Sequence, residues 1–338
     1  MNSIEAGAKQ AVVNCLKVKK GQRVVVITDR KTLRMGDAMV RQARKAGGLV
    51  EPFVMEDFGP RPADGKRALR FPDAIRRAMS RADVSVYIAG TRAGELHSFR
   101  LPMLELMEKK RLRHGHMPGF LEVMMRQGMA VDYAKVQALT KKVLAAVRKA
   151  RSIRVITPAG TDLTATFPPR SEWHVCDGNI RPGKVANLPA GEVYTVPASV
   201  DGRAVIDGCL GDAFDRYGAL SRTPVSYALQ GGRCVKGSVR CRNARLRREF
   251  NRYTFESDAH SDRVGEFAIG TNLGLKKLIG NMLQDEKFPS VHLAMGDPAT
   301  EKTRAPWRSK VHLDGLMLRP TIVVDGRRTI MAAGKFRI

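Results

Sequence analysis

The sequence predicts a mixed α/β protein: an N-terminal parallel α/β layer followed by a mainly antiparallel, β-rich half. Three observations carry that expectation. Apolar strand-like runs alternate with helical periods in the first half, a long amphipathic stretch ends near residue 150, and beyond it short β-branched runs are punctuated by glycine and proline. The 338 residues exceed the roughly 100–200 of one domain, so two domains are expected, an α/β domain over 1–150 and a β-rich one over 151–338.

In chain order, RVVVIT at 23–28 reads as a strand, and apolar positions at helical spacing from Met35 to Lys45 read as the helix after it. Ala46-Gly47-Gly48 ends that helix, and LVEPFVM at 49–55 gives a second strand, completing a βαβ outline. A helix near 72–81 then precedes a third strand, ADVSVYIAG at 82–90. No GxGxxG or phosphate-loop sequence follows the first strand, so nothing there calls for a nucleotide. Asp132 to Ala150 reads as a long helix with one apolar stripe. The second half offers IRVITP, LTATF, EVYTVP, GRAVIDG and TIVVDGRRTIMAAG as strands, and one helix is expected around 272–284.

The formal net charge is +26, from 59 basic and 33 acidic residues. The basic residues run along the whole length, and the densest stretch, Arg233 to Arg252, lacks repeated aromatic interleaving, so a solvated surface without a specific nucleic-acid partner is expected. The five cysteines form no CxxC pair, which points to reduced thiols. With no apolar run of about 18 residues and no signal-like N-terminus, a cytoplasmic protein without a membrane partner is expected, acting as a homo-oligomer on a small peptide or small molecule.

Potential metal ligands concentrate in three segments of the second half. In NLPAGEVYTVP a sharp turn should present Glu192 at the start of a strand. In RVGEFAIGTN, Glu266 precedes an apolar run, where a carboxylate is costly to bury unless it meets a cation or hydrogen-bond donors. SVHLAMGD and SKVHLDGLM place His292 and His312 after similar apolar lead-ins, and His312 and Asp314, one residue apart, share a strand face and can grip one ion. This mixed nitrogen and oxygen set suits zinc, cobalt, manganese or ferrous iron rather than magnesium or calcium.

These phrases, with the DEK-x4-HLAMG block from Asp285 to Gly296, GQRVVVITD and AGTDLTATF, resemble the aminopeptidase T and aminopeptidase S family of dinuclear metallopeptidases along nearly the whole chain. The resemblance implies a hydrolase in which two divalent ions are held by two glutamates, two histidines, an aspartate and a tyrosine. By motif, Glu192, Glu266, His292, His312 and Asp314 take five of those positions, with Glu192 and Glu266 as the candidate catalytic groups. DPATEKT after His292 supplies no counterpart to the tyrosine. The related 2,5-dihydroxypyridine dioxygenases imply an alternative, one ferrous ion on His292, His312 and Asp314 cleaving a ring with oxygen. A basic binding module without catalysis is the third possibility. Of the other histidines, His97 reads as a surface or core residue, His114 and His116 as members of a solvated basic loop, and His174 and His260 have no assigned role.

Overall fold

The computed structural model describes residues 3–338. The chain divides into two compact units, one running to Gln137 and resuming over Cys176–Ala190, the other made of Ala138–Val175 and Gly191–Ile338.

The first unit is built on a parallel five-stranded sheet in the order Leu49–Val54, Arg23–Thr28, Val84–Ala89, Arg113–Pro118 and Lys184–Asn187. Its central strand Val84–Ala89 is buried throughout, as parallel strands covered on both faces are. Helices Leu33–Lys45 and Asp73–Ser80 supply the crossovers where the sequence places them. At the strands' carboxyl ends, where the strand order reverses and ligands commonly bind, Arg61 pairs with Asp29 at 2.6 Å and with Glu95 at 2.7 Å. The protein's own arginine fills that crevice.

His114 and His116 do not lie in a solvated loop: both are buried in the strand Arg113–Pro118. Their ring nitrogens find partners inside the sheet, His114 Nδ1 with Ser85 Oγ at 2.8 Å, His114 Nε2 with His116 Nδ1 at 3.3 Å and His116 Nε2 with Arg100 at 3.1 Å. Burial pushes the His114 imidazole down to about 3. Glycine and proline in RHGHMP suggest a loop, but the proline is the last residue of the strand and the glycine sits against Leu16 and Leu188.

The second unit holds two antiparallel sheets. Eight strands form the larger, running from Arg233–Cys234 at one edge through Ser199–Ile206 and Ser152–Ile156 to Lys335–Phe336 at the other. The smaller, here the site sheet, has the order His312–Met317, Val291–Gly296, Val264–Gly270, Glu192–Thr195 and His174–Cys176. One core joins them: Val155, Leu163, Val200 and Ile322 from the larger sheet meet Val193, Phe267, Leu293 and Leu313 from the site sheet. Each site-sheet strand therefore spends alternate residues on that core and turns the intervening ones to its other face.

The helix expected at 272–284 is absent except for the single turn Met282–Asp285. Gly280 has φ +75°, and the Asp285 carboxylate accepts backbone N–H groups of Ile279, Gly280 and Asn281, so a side chain satisfies donors that a helix would have used. A longer helix, Ala244–Glu256, begins instead within the arginine-rich stretch. Asn243 caps it by accepting from Leu246 N–H at 3.0 Å, and Leu246, Phe250 and Thr254 bury one stripe at i, i+4, i+8. No helix among the described residues is long and apolar enough to cross a membrane.

Candidate metal centre

The turn before Glu192 places that residue first in its strand, as NLPAGE predicts. Gly191 has φ +134°, and a Cβ there would lie 2.7 Å from the Asn272 side chain, so only glycine brings the chain in so closely. Val193 turns into the core while Glu192 and Tyr194 take the opposite face. By the same alternation Glu266, His292, His312 and Asp314 leave the face from which Phe267, Leu293 and Leu313 turn away.

The register leaves room above that face. Glu192 lies opposite Gly270, Tyr194 and His292 flank Ala268, Glu266 and Asp314 flank Ala294, and His312 lies opposite Gly296. Each of these polar side chains thus has alanine or glycine beside it on at least one neighbouring strand, with Leu316 on the other side of His292. The five predicted residues meet in this space. Ligand-type atoms of Glu192, Glu266 and His292 lie within 4.8 Å of one another, as do those of Glu266, His312 and Asp314 and those of Glu286, His292 and Asp314. His292 Nε2 is 3.2 Å from Glu266 Oε1 and 3.8 Å from Glu192 Oε2, and His312 Nε2 is 3.5 Å from Asp314 Oδ1.

Two residues of the cluster carried no role in the sequence reading. Lys287 is fully buried, with its ammonium 2.5 Å from Glu192 Oε1 and also bonded to the Glu286 carboxylate. Its strand-side neighbour is Gly270, where a Cβ would fall 1.9 Å from the Phe288 carbonyl oxygen, so the segment carrying Glu286 and Lys287 crosses directly on that glycine. The DEK triplet reads locally as a charged turn, and its only sequence signal is the apolar company of MLQ before it and FPSV after it. His174, half-buried, packs its ring 5.3 Å from that of Tyr194 on the same strand face as Glu192. His97 and His260 lie outside these sets, with His97 exposed.

Four carboxylates and two imidazoles against a single ammonium make an acidic pocket in a desolvated place. Burial opposes charge on His292, yet its hydrogen bond to Glu266 and the carboxylates of Asp314 and Glu192 hold it up at about 9. Burial likewise opposes charge on His312, and Asp314 outweighs it, raising the imidazole well above its usual range. Burial pushes Glu286 up to about 8 despite Lys287. Glu192 Oε2 and Asp314 Oδ1 are buried acceptors without a hydrogen-bond partner. A divalent cation satisfies such acceptors and supplies the missing positive charge, so the donor set fits one.

Residues 132–310, more than half of the chain and including Glu192, Glu266 and His292 of the five predicted ligands, match the family described as thermophilic metalloprotease (M29). The chain belongs to the M29 family of metallopeptidases. Two solved structures share its fold over essentially the full length. One is a 2,5-dihydroxypyridine dioxygenase from Pseudomonas putida KT2440, at 19% identity and TM-score 0.69, with 98% of this chain and 96% of that one covered. The other is wild-type AmpT from Thermus thermophilus, at 17% identity and TM-score 0.67, with 99% of both chains covered. No curated protein matches the sequence.

Proposed function

We propose that this M29 chain is an aminopeptidase-like hydrolase that binds two divalent cations, zinc, cobalt or manganese, through Glu192, Glu266, His292, His312 and Asp314. The observation that carries this reading is the overlap of the ligand sets. Glu266, His292 and Asp314 each belong to two of the three triads, and the two histidines never share one. Interlocked sets of this kind favour two neighbouring cations over one ion held by both histidines and an aspartate. Bound there, the cations would supply Lewis acidity toward the scissile carbonyl and toward water.

The chain's own groups have separate tasks in this reading. Lys287 fixes the Glu192 carboxylate through Oε1 and leaves Oε2 without a hydrogen-bond partner, available to accept a proton or meet a cation. Glu266 holds the His292 ring through Nε2, and the Asp297 carbonyl at 2.7 Å from Nδ1 orients the His312 ring. The substrate would be an N-terminal peptide bond or a related small amide.

The alternative, a ring-cleaving dioxygenase with one ferrous ion, draws on Lys287, which already neutralises one carboxylate and so reduces the demand for a second cation. Glu192→Gln separates the two readings. As a hydrolase it should keep its fold and lose about 100- to 10,000-fold in oxygen-independent amide hydrolysis, the usual worth of a proton-handling carboxylate. Oxygen-dependent ring cleavage surviving in the variant, with near one iron per chain, would defeat the hydrolase. Near two metals per chain in the wild type, with hydrolysis lost in the variant, would defeat the dioxygenase.

A further inference from the structure

A cavity of about 360 Å³ opens in the second unit where the Glu266 strand begins, bordered by Arg170, Glu172, Arg263, Arg304 and Trp307. Three guanidinium groups face one carboxylate around it. Arg263 is held by stacking: its guanidinium carbon lies 3.6 Å from the centre of the Trp307 ring. Trp307 is itself buried and donates its indole N–H to the Gly296 carbonyl at 3.2 Å, while Gly296 N–H donates to the Arg263 carbonyl at 2.7 Å. The planar cation is thus laid on an aromatic floor that is tied to the end of the His292 strand. Among the described residues, no acceptor takes a hydrogen bond from the Arg263 side chain. Burial and the nearby Arg233 disfavour its charge and outweigh Asp262, a carboxylate already paired with Arg233, so an anion arriving there is rewarded. Arg304 meets only Glu172, at 3.7 Å, with both side chains mostly exposed.

A bulge aims this arginine. The register of the Glu266 strand shifts between Val264 and Glu266, and Val264 and Phe267 both turn into the core. Two residues rather than one separate them from each other's inward turn, so Arg263, next to Val264, and Glu266, next to Phe267, both leave the face that carries the cluster. Three steps along the chain, across Val264 and Gly265, separate them, roughly 10 Å at about 3.3 Å per step. An extended peptide covers that distance in about three residues.

We propose that the cavity is a carboxylate subsite, with Arg263 as its principal donor, that receives the C-terminal carboxylate of a short peptide whose N-terminal end lies at the Glu192, Glu266 and His292 cluster. The proposal rests on the hydrolase reading for its substrate and adds a size and charge preference: tripeptide-length peptides with a free carboxylate. A guanidinium whose face is closed by an indole offers only its in-plane N–H groups, the geometry that suits a carboxylate. Glu172 on the rim disfavours anions of higher charge.

The test compares trialanine, trialanine amide and an Ala-Ala-Glu amide. Wild type should show a KM for trialanine about tenfold or more below that of trialanine amide, the range expected of a charge-assisted hydrogen bond. In Arg263→Gln that ratio should collapse toward one, and in Arg263→Lys, which keeps the charge without the planar fork, it should be intermediate. If Ala-Ala-Glu amide is favoured as strongly as trialanine, the subsite reads an acidic side chain and the C-terminal assignment is overturned. Binding is measured separately, with N-acetyl-trialanine and its amide, by the fluorescence of the two tryptophans, of which Trp307 floors the cavity. Tighter binding of the acid, lost in Arg263→Gln, upholds the subsite even if neither peptide is cut, so failure of the hydrolase reading is told apart from failure of this one. Equal affinity for acid and amide, or no binding of the acid, overturns the subsite.

Discussion

Lys287 is the residue whose placement most constrains the chemistry, because a fully buried ammonium sits against two carboxylates of an otherwise acidic cluster. Breaking a buried ion pair from one side typically costs about 3–5 kcal/mol, since the surviving charge stays desolvated. Lys287→Met should therefore destabilise the protein by that order when cations are removed, and by clearly less when they are present, because a cation can neutralise Glu192 in place of the ammonium. Thermal unfolding of wild type and variant, with chelator and with added zinc, reads the difference. An equal drop in both conditions would mean that Lys287 is an ordinary structural pair unconnected to cation binding. The residue also marks the limit of the sequence. Glu266, His292 and Asp314 stand out because each is a polar side chain in an apolar run, which needs an explanation. Lys287 follows an aspartate and a glutamate, and three adjacent charges read as a solvated turn until the chain is seen to pass over Gly270.

Strands were more legible than turns and helices at the level of elements. The apolar runs at 23–28 and 84–89 form the inner strands of the parallel sheet because buried parallel strands need no polar alternation, while 49–54, which carries Glu51 and Pro52, makes its exposed edge, and VHLAMG and VHLDGLM pair as neighbours because their alternation puts one face on the core. The helix expected at 272–284 was not formed because periodicity does not weigh an aspartate that collects three backbone donors. The strand Arg113–Pro118 was hidden by its histidines, whose polarity is satisfied by each other and by Ser85 and Arg100. Element packing gives a second prediction, at the crossing of the Glu266 strand and the segment that carries Lys287. Gly270→Ala would set a methyl group 1.9 Å from the Phe288 carbonyl oxygen and 2.8 Å from its carbon, both backbone atoms, so one of the two segments must move. Overpacking of this kind costs about 1–3 kcal/mol. The displaced segment holds Lys287 and Glu286, so cation affinity should fall together with stability. Isothermal titration with zinc on the folded variant checks this, and unchanged affinity would show that the crossing does not position the cluster.

For the whole molecule, the outstanding property is a formal charge of +26, and the fold bears on what that charge can do. Some basic side chains are committed inside the protein without altering that net charge: Arg61 lies buried between Asp29 and Glu95, Arg113 donates to the carbonyls of Leu16 and Lys17, and Lys287 is enclosed by Glu192 and Glu286. Other arginines are taken up in surface pairs, as with Arg216 and Arg245 on Glu249. The helix Ala244–Glu256 carries the densest basic run, but its buried stripe of Leu246, Phe250 and Thr254 faces the core, and its other aromatic side chains, Tyr253 and Phe255, pack against that core rather than standing free among the arginines to stack bases. Binding to nucleic acid through such a surface draws on phosphate contacts alone. Its affinity falls with the logarithm of salt at a slope of about 0.9 per phosphate neutralised. Titration of fluorescent duplex DNA and of RNA at low salt should give weak binding indifferent to sequence, gone by about 150 mM salt, the strength at which the screening length falls to about 8 Å. Sub-micromolar binding to one nucleic acid that survives that salt would require a directed contact surface. It would then place the basic face, rather than the acidic cluster of the site sheet, at the centre of the protein's function.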